Sequence, residues 1–317
     1  MSYFPIAAIF RGPFLRKVCD DKHHQVFTEL INLLELEDHP CWGSPAIDFF
    51  EYFYDLLLSH YRCEYVFKNA IANNIFLARY SLEKNLISEE LMVDSSRADM
   101  TIVGESSTVY EIKTEYDDPS RLEGQIADYK KVFDKIYVVV SDEQSERYVS
   151  LIDDSVGLLS LANNGRITKI KESESHVATV SLDSVFNCMR KKEYSSALIK
   201  SFGEAPDVPT SKYYEACRRK FRRLLPHEAH KLMTDELRSR KLHASHLQLI
   251  NVVPKSLKMA AIGLRATKSQ MLKLQEKLKL PTYEHILPIP ERKTIRDVRP
   301  ARTGKKNSIK QERMPNH

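Results

Sequence analysis

Apolar and polar positions alternate along two runs of the chain, residues 96–103 and 108–113, which flank a short polar turn. Successive side chains of a strand point to opposite faces. The apolar residues of the second run therefore share one face, while Glu111 and Lys113 share the other. The pattern predicts a β-hairpin that carries two charged side chains on one face.

A helix is predicted directly after this hairpin. Asp118 is a typical N-cap and Pro119 a typical first helical residue, so the helix should begin there and run to about Phe133. Its predicted buried stripe consists of Leu122, Ile126 and Phe133. An adjoining face carries a guanidinium, an amide and a phenol at intervals of four: Arg121, Gln125 and Tyr129. These three side chains form either a polar shoulder of an amphipathic helix or part of a site with the hairpin charges.

The remaining patterns complete an α/β core. Helical periodicity continues to about Tyr80, and the apolar run 135–140 predicts a buried strand. Two strand-like segments flank the turn 163–165, whose Asn-Gly pair is a strong hairpin signal. We therefore expect a mixed central sheet flanked by helices, followed by a helical carboxy-terminal region.

The residue types in the first hairpin suit a magnesium site. Asp99 and Glu111 would supply two carboxylates from neighbouring strands, and Mg²⁺ is usually held by one or two carboxylates together with water and phosphate oxygens. Lys113 would then reach an attacking water or a phosphate. The alternative is structural: Glu-X-Lys on a strand is commonly a solvated ion pair, and Asp before a strand is commonly a turn residue.

One carboxylate of an upstream helix is predicted to point inward. Glu64 shares a helix face with Ile71 and Ile75, and a carboxylate turned toward a core needs a partner. Lys68, one turn later, could be that partner in a salt bridge. A metal ion held with the hairpin carboxylates is the second alternative, and the sequence leaves both open.

Composition and cysteine usage limit the classes of protein that fit. The chain has 317 residues, of which 42% are hydrophobic and 29% charged, as in globular proteins that have a substantial core. It has no apolar run long enough to cross a bilayer and no secretory signal pattern at its start. Five cysteines without a Cys-X-X-Cys pair argue for a cytoplasmic protein and against a disulfide framework or structural zinc.

The charge is divided unevenly along the chain. Residues 211–317 hold 26 Lys and Arg against 9 Asp and Glu, whereas residues 1–210 hold 22 against 34. The helical region 206–280 contains a basic cluster interleaved with aromatic residues: Arg218, Arg219, Lys220, Arg222 and Arg223. Such a cluster predicts contacts to a nucleic-acid backbone, or else a solvated basic face or a docking surface for an acidic partner.

This division predicts a domain organisation. Residues 1–205 would form the catalytic domain with its helical amino-terminal part, 206–280 the basic helical region, and 281–317 a flexible basic tail that includes Lys305 and Lys306. Two histidine pairs lie in the basic region, His227 with His230 and His243 with His246. Neither has the His-Glu-X-X-His spacing of zinc hydrolases, so we expect solvated helix histidines.

Together, these elements resemble the PD-(D/E)XK nuclease superfamily. The order is a helix with Glu64, a strand with Asp99, the Glu111-Ile112-Lys113 strand, and a helix with Gln125 and Tyr129, whose Gln-X-X-X-Tyr element resembles that of the RecB-type branch. More closely, residues 50–180 resemble an uncharacterised bacterial and phage-associated family of that superfamily. One departure is Ala98, which stands where the superfamily's name has proline.

The resemblance implies a Mg²⁺-dependent or Mn²⁺-dependent nuclease of restriction-endonuclease-like fold. Its metal ligands would be Glu64, Asp99 and Glu111, Lys113 would position and activate water, and Gln125 and Tyr129 would orient the motif or a phosphate, with Arg121 a weaker candidate. It also implies DNA more than RNA as substrate, and a role in phage defence or mobile-element DNA processing.

Two other functions fit the same residues. The first is a non-catalytic module that binds nucleic acid or a protein, in which the basic helices carry the binding. The second is a nuclease subunit that is active only within a larger complex. Metal-dependent cleavage by the isolated chain separates the nuclease from both.

Overall fold

A six-stranded mixed sheet forms the centre of the computed structural model, which describes residues 3–33, 43–240, 242 and 244–285. The strands lie side by side in chain order: β1 (Leu86–Val93), β2 (Ser96–Val103), β3 (Ser107–Ile112), β4 (Lys135–Ser141), β5 (Gly157–Leu161) and β6 (Ile167–Lys171). Strands β1 to β3 are antiparallel, β3 to β5 are parallel, and β6 is antiparallel to β5. The parallel strands need crossover connections, and helices supply them.

Helices precede, connect and follow the strands. Those before the sheet are α1 (Phe4–Ala8), α2 (Gly12–Cys19), α3 (His24–Leu33), α4 (Ala46–His60), α5 (Glu64–Ile71) and α6 (Leu77–Arg79), with a π-helical turn, Ala72–Phe76, between the last two. The crossovers contain α7 (Leu122–Lys130) and α8 (Ser145–Leu151). The following helices are α9 (Leu182–Asn187), α10 (Lys191–Phe202), α11 (Thr210–Phe221), α12 (Pro226–Arg238), α13 (Ala244–Val252), α14 (Lys258–Ile262) and α15 (Lys268–Lys279).

The two faces of the sheet are covered by different helices. Val139 of β4 belongs to a hydrophobic cluster built by α1 to α5 and α13 to α15, whereas its neighbours Val138 and Val140 belong to a cluster built by α7 to α12. Both faces of the central strands are thus buried, which explains their continuous apolar runs. The result is a sheet between two helical layers.

The predicted α/β class with a mixed sheet is confirmed, and both predicted hairpins are present. Gly165 in the second turn has a φ of 78°, the left-handed conformation that favours glycine there. The helix predicted from Pro119 to Phe133 is shorter. Asp118 caps a 3₁₀ turn by accepting a hydrogen bond from the Ser120 N–H, and α7 itself ends at Lys130.

The carboxy-terminal helices pack into both layers. Helices α11 and α12 contribute Cys217, Phe221 and Met233 to one cluster, and α15 contributes Leu274 to the other. The proposed domain boundaries stay a prediction, and the predicted tail lies outside the described residues from position 286 onward. In the described part of the chain, no helix is long and apolar enough to span a membrane.

Candidate functional site

Asp99 and Glu111 lie opposite each other in the hairpin of β2 and β3. The last pair of the β2–β3 register is Met100 with Tyr110, so Asp99 and Glu111 are the next residues of the two strands. Asp99 Oδ2 accepts a hydrogen bond of 2.8 Å from the backbone N–H of Ile112. The sequence predicted this juxtaposition, because the two carboxylates are separated by a tight hairpin.

The sheet is irregular at Asp99. Ala98 and Met100 are two residues apart in β2, and in a regular strand they would point to the same face. Instead, they belong to hydrophobic clusters on opposite faces of the sheet. The register of β1 and β2 places Glu90 opposite Asp99, and Glu90 has a φ of 56°, which is uncommon for a residue other than glycine. Such conformations store strain and are often found at functional sites. The alternation of side chains alone did not predict this irregularity.

Glu111 is held from both sides by a buried network. Its Oε1 lies 2.8 Å from Lys113 Nζ, and its Oε2 accepts a 2.7 Å hydrogen bond from the Tyr129 hydroxyl. Lys113 Nζ also donates to Gln125 Oε1 at 2.8 Å. Glu111 is 1% exposed and Lys113 7%. The structure therefore brings these four predicted residues together, whereas Arg121 is exposed in the 3₁₀ turn just before α7.

Protonation in this network reflects burial and the closeness of like charges. Burial, and after it the neighbouring Glu111 carboxylate, raises the pKa of Asp99 to about 7. Burial and the same carboxylate raise the pKa of Tyr129 far above its ordinary value, so the phenol stays a neutral hydrogen-bond donor. A cation bound between the Asp99 and Glu111 carboxylates would relieve their repulsion.

The three-carboxylate metal set predicted from the sequence is not assembled. In the residues that the structure describes, no three His, Cys, Asp or Glu side chains group closely enough to hold a metal ion. Asp99 and Glu111 remain as a pair, which matches the one or two carboxylates that usually hold Mg²⁺. Among the described residues, each Glu111 oxygen accepts one hydrogen bond from the network, so each retains a lone pair.

Glu64 does not point toward the core, and the predicted inward orientation is wrong. The residue begins α5, its side chain is 54% exposed, and its Oε1 lies 2.6 Å from Lys68 Nζ. Lys68 also contacts Glu89 Oε2 at 3.2 Å. Of the two alternatives for Glu64, the salt bridge is the one present. Its charge still acts on Asp99, whose pKa it helps to raise.

Two residues near the site were missed. Glu89, on β1, forms an ion pair with Lys68. Arg62 joins the segments that follow β3 and β4 to the last residue of β5. Its NH2 group contacts Glu115 and lies 2.7 Å from Glu143 Oε2, and its NH1 group lies 3.5 Å from the Leu161 carbonyl oxygen. The carboxyl ends of β3, β4 and β5 meet at one edge of the sheet, but the sequence does not show which arginine will bridge them.

Three members of the basic cluster form ion pairs within the molecule. Arg218 and Arg222 both bind Asp183 of α9, with Nε to Oδ1 distances of 2.9 and 2.7 Å. Lys220 Nζ lies 3.4 Å from Glu204 Oε1. The two remaining arginines, Arg219 and Arg223, are exposed. The surface therefore presents less positive charge than the sequence implies.

The expectation of solvated histidines is wrong for two of the four. His230 is 4% exposed and its Nε2 lies 2.8 Å from the Ser107 hydroxyl at the start of β3. His246 is 8% exposed and its Nε2 lies 2.5 Å from the Ala261 carbonyl oxygen. His227 is exposed, as predicted, and His243 lies outside the described residues. The buried pair supports packing between elements.

Comparison with known proteins places the chain in a family. A sequence model described as bacteriophage P4 protein cII matches residues 58–260, which is more than half of the chain. The chain belongs to the bacteriophage P4 cII family. Protein cII of Enterobacteria phage P4 is 25% identical over 104 residues, which cover 31% of this chain and 39% of the phage protein. The aligned part is thus well under half the length of that relative.

The P4 cII match contains the whole candidate site, from Arg62 to Tyr129, and extends to α14. It confirms the expected association with phages. A solved structure, a protein of unknown function from Silicibacter pomeroyi, has 17% identity and a TM-score of 0.27, with 34% of this chain and 68% of that chain covered.

Proposed function

We propose that this member of the P4 cII family is a Mg²⁺-dependent nuclease that hydrolyses phosphodiester bonds, in DNA more readily than in RNA. The observation that carries the proposal is the position of Lys113. Its ammonium group is fixed by Glu111 and Gln125, beside a second carboxylate, Asp99. A buried ion pair contributes little net stability, because the cost of removing its charges from water offsets their attraction. Stability alone therefore does not explain why Lys113 is buried and held by two partners.

Asp99 and Glu111 are the residues that would hold the cation. A bound Mg²⁺ supplies charge neutralisation at the phosphoryl oxygens and a lower pKa for water. An ammonium group has three hydrogens, and Lys113 donates two of them to Glu111 and Gln125, which leaves one for water or a phosphate oxygen. Tyr129 holds the other Glu111 oxygen and fixes the orientation of the carboxylate.

Substrate binding is proposed to use the exposed basic residues of the carboxy-terminal region. Arg219 lies on α11 and Arg223 just after it, and both are exposed. Contacts from such residues to phosphates carry affinity without sequence specificity. The membership in a phage family is compatible with the proposed role in phage defence or mobile-element DNA processing.

The test is cleavage by the purified chain of plasmid, linear and single-stranded DNA and of RNA, with Mg²⁺, with Mn²⁺ and with EDTA. We expect metal-dependent cleavage that is lost in Asp99→Asn and in Lys113→Gln. The matched control is Lys277→Gln, because Lys277 is also a largely covered lysine in an ion pair, with Asp21, but lies on α15.

Melting curves of all three variants check that the fold is retained. Absence of cleavage of every substrate, together with nucleic-acid binding that Glu111→Gln leaves unchanged, would favour a non-catalytic module. Cleavage that appears only after a co-purifying ATPase or helicase is added would favour a subunit of a larger complex.

A further inference from the structure

A cavity of about 630 Å³ adjoins the candidate site. Its lining includes Glu64 and Lys68, both of which act electrostatically on Asp99, and Glu90, which lies opposite Asp99 in the sheet. Four aromatic side chains also contribute to its lining, and we call it the aromatic cleft: Phe4, Phe10, Tyr61 and Tyr65. Its volume falls within the range of pockets that bind small molecules.

One largely exposed aromatic side chain lines this cleft, and a second contacts a residue of its lining. Phe4, in its wall, is 62% exposed, and Tyr116 is 63% exposed. The Tyr116 ring lies 5.2 Å from the ring of Tyr61, centroid to centroid, at an interplanar angle of 43°. Tyr116 follows Lys113 by three residues, and Tyr61 precedes Glu64 by three. Large aromatic side chains are thus presented to solvent at the edge of the candidate site.

The acidic groups around the cleft form ion pairs within the protein, and Glu90 lies 3.4 Å from Arg97. Lys68 binds both Glu64 and Glu89, and the guanidinium of Arg62 contacts two further carboxylates. Arg11, an exposed arginine, lies in the cleft wall. Lys68 and Arg62 are each shared by two carboxylates, so a phosphate contact in the cleft would come from Arg11.

We propose that the aromatic cleft binds an unpaired nucleobase, so that the substrate is nucleic acid with unpaired nucleotides, either single strands or frayed ends. The inference rests on the proposed function for the identity of the ligand. A base inside a duplex is stacked on its neighbours and cannot enter a concave pocket, whereas an unpaired base stacks readily on aromatic rings. Phe4, Tyr116 and Tyr61 supply those rings, and Arg11 supplies a contact for the adjoining phosphate.

The test is binding without metal, in EDTA, of a fluorescently labelled single strand and of the duplex of the same sequence, measured by anisotropy. Each of Phe4→Ala and Tyr116→Ala should weaken single-strand binding by about 5-fold or more, because stacking on one aromatic side chain contributes roughly 1–3 kcal/mol. Duplex binding should not change. Both side chains are mostly exposed, so these variants are expected to fold.

The matched control is Tyr214→Ala, which removes a 42% exposed tyrosine from the basic helix α11. It should affect single strand and duplex equally. A single strand with 2-aminopurine at its end gives a second measurement, since stacking quenches its fluorescence, and the quenching should be lost in Tyr116→Ala. Equal weakening by Tyr214→Ala and Tyr116→Ala, or no binding of single strands by the unmodified protein, would overturn the inference.

Each of the two proposals can be refuted without refuting the other. Binding in EDTA that depends on Phe4 and Tyr116, without cleavage under any metal condition, would support the cleft and refute the nuclease. Metal-dependent cleavage that treats duplex and single strand alike in the unmodified protein and in Tyr116→Ala would support the nuclease and refute the cleft.

Discussion

Two buried tyrosines allow the contribution of the site network to stability to be measured. Tyr129 and Tyr148 are both 0% exposed and belong to the same hydrophobic cluster. The Tyr129 hydroxyl donates to Glu111 Oε2 at 2.7 Å. The Tyr148 hydroxyl has no hydrogen-bond partner among the residues that the structure describes. Replacing each by phenylalanine removes one oxygen atom and nothing else.

The two replacements should change the free energy of unfolding by different amounts or in opposite directions. In Tyr129→Phe, a buried carboxylate loses a hydrogen-bond donor, and a hydrogen bond to a charged group contributes about 1.5–3 kcal/mol. In Tyr148→Phe, a buried hydroxyl without a partner is removed, so the free energy of unfolding should stay the same or rise. We therefore expect Tyr129→Phe to be less stable than Tyr148→Phe by at least about 1.5 kcal/mol.

Urea unfolding at neutral pH, followed by circular dichroism, measures this difference. The midpoints should separate while the slopes stay equal, since neither change alters the surface exposed on unfolding. Midpoints of the two variants that agree within error would show that Tyr129 does not hold Glu111. Glu111 would then not be an oriented carboxylate.

Four further predictions concern protonation and packing. In the proposed cation site, Asp99 must lose its proton to bind the ion, and its pKa is raised to about 7. Mn²⁺ affinity measured by calorimetry should therefore fall about tenfold per pH unit below that value, and Asp99→Asn should abolish binding at every pH. Burial, and after it the charge of neighbouring histidines, lowers the pKa of His23 to about 3. Its neutral form therefore stabilises the fold above the ordinary histidine pKa, and about 2 kcal/mol should be lost in urea unfolding at pH 5 relative to pH 7, but not in His23→Gln. In Gly157→Ala, the new Cβ would lie 2.3 Å from a ring carbon of Tyr137, which should cost about 1–3 kcal/mol. Gly124→Ala in α7 meets no atom within 4 Å and should gain about 0.5–1 kcal/mol, and a lower melting temperature for it would contradict the packing argument.

Local patterns in the sequence determined the strands and the partners within the hairpin. Alternation along β3 fixes Glu111 and Lys113 on one face, and the short turn brings Asp99 opposite Glu111. The second hairpin follows from its Asn-Gly turn in the same way. These features depend on neighbours within a few residues, and propensity and side-chain periodicity act at that distance.

The direction of Glu64 was decided by where its helix begins. The periodicity treated Glu64 as a residue inside a helix, on the face of Ile71. In the structure α5 begins at Glu64, so the side chain lies at an exposed helix end and pairs with Lys68. A helix boundary depends on the packing around it, so sequence patterns predict it poorly.

Contacts between distant parts of the chain were decided only by the tertiary structure. Arg218 and Arg222 lose much of their availability to phosphates because Asp183, more than thirty residues away, lies beside them. Tyr116 is exposed next to Tyr61, from another segment, and together they form the edge of the aromatic cleft. The sequence thus determined which charges the site contains. The packing of helices from both ends of the chain around the sheet decided which of those charges remain accessible, because ion pairs and burial depend on spatial neighbours.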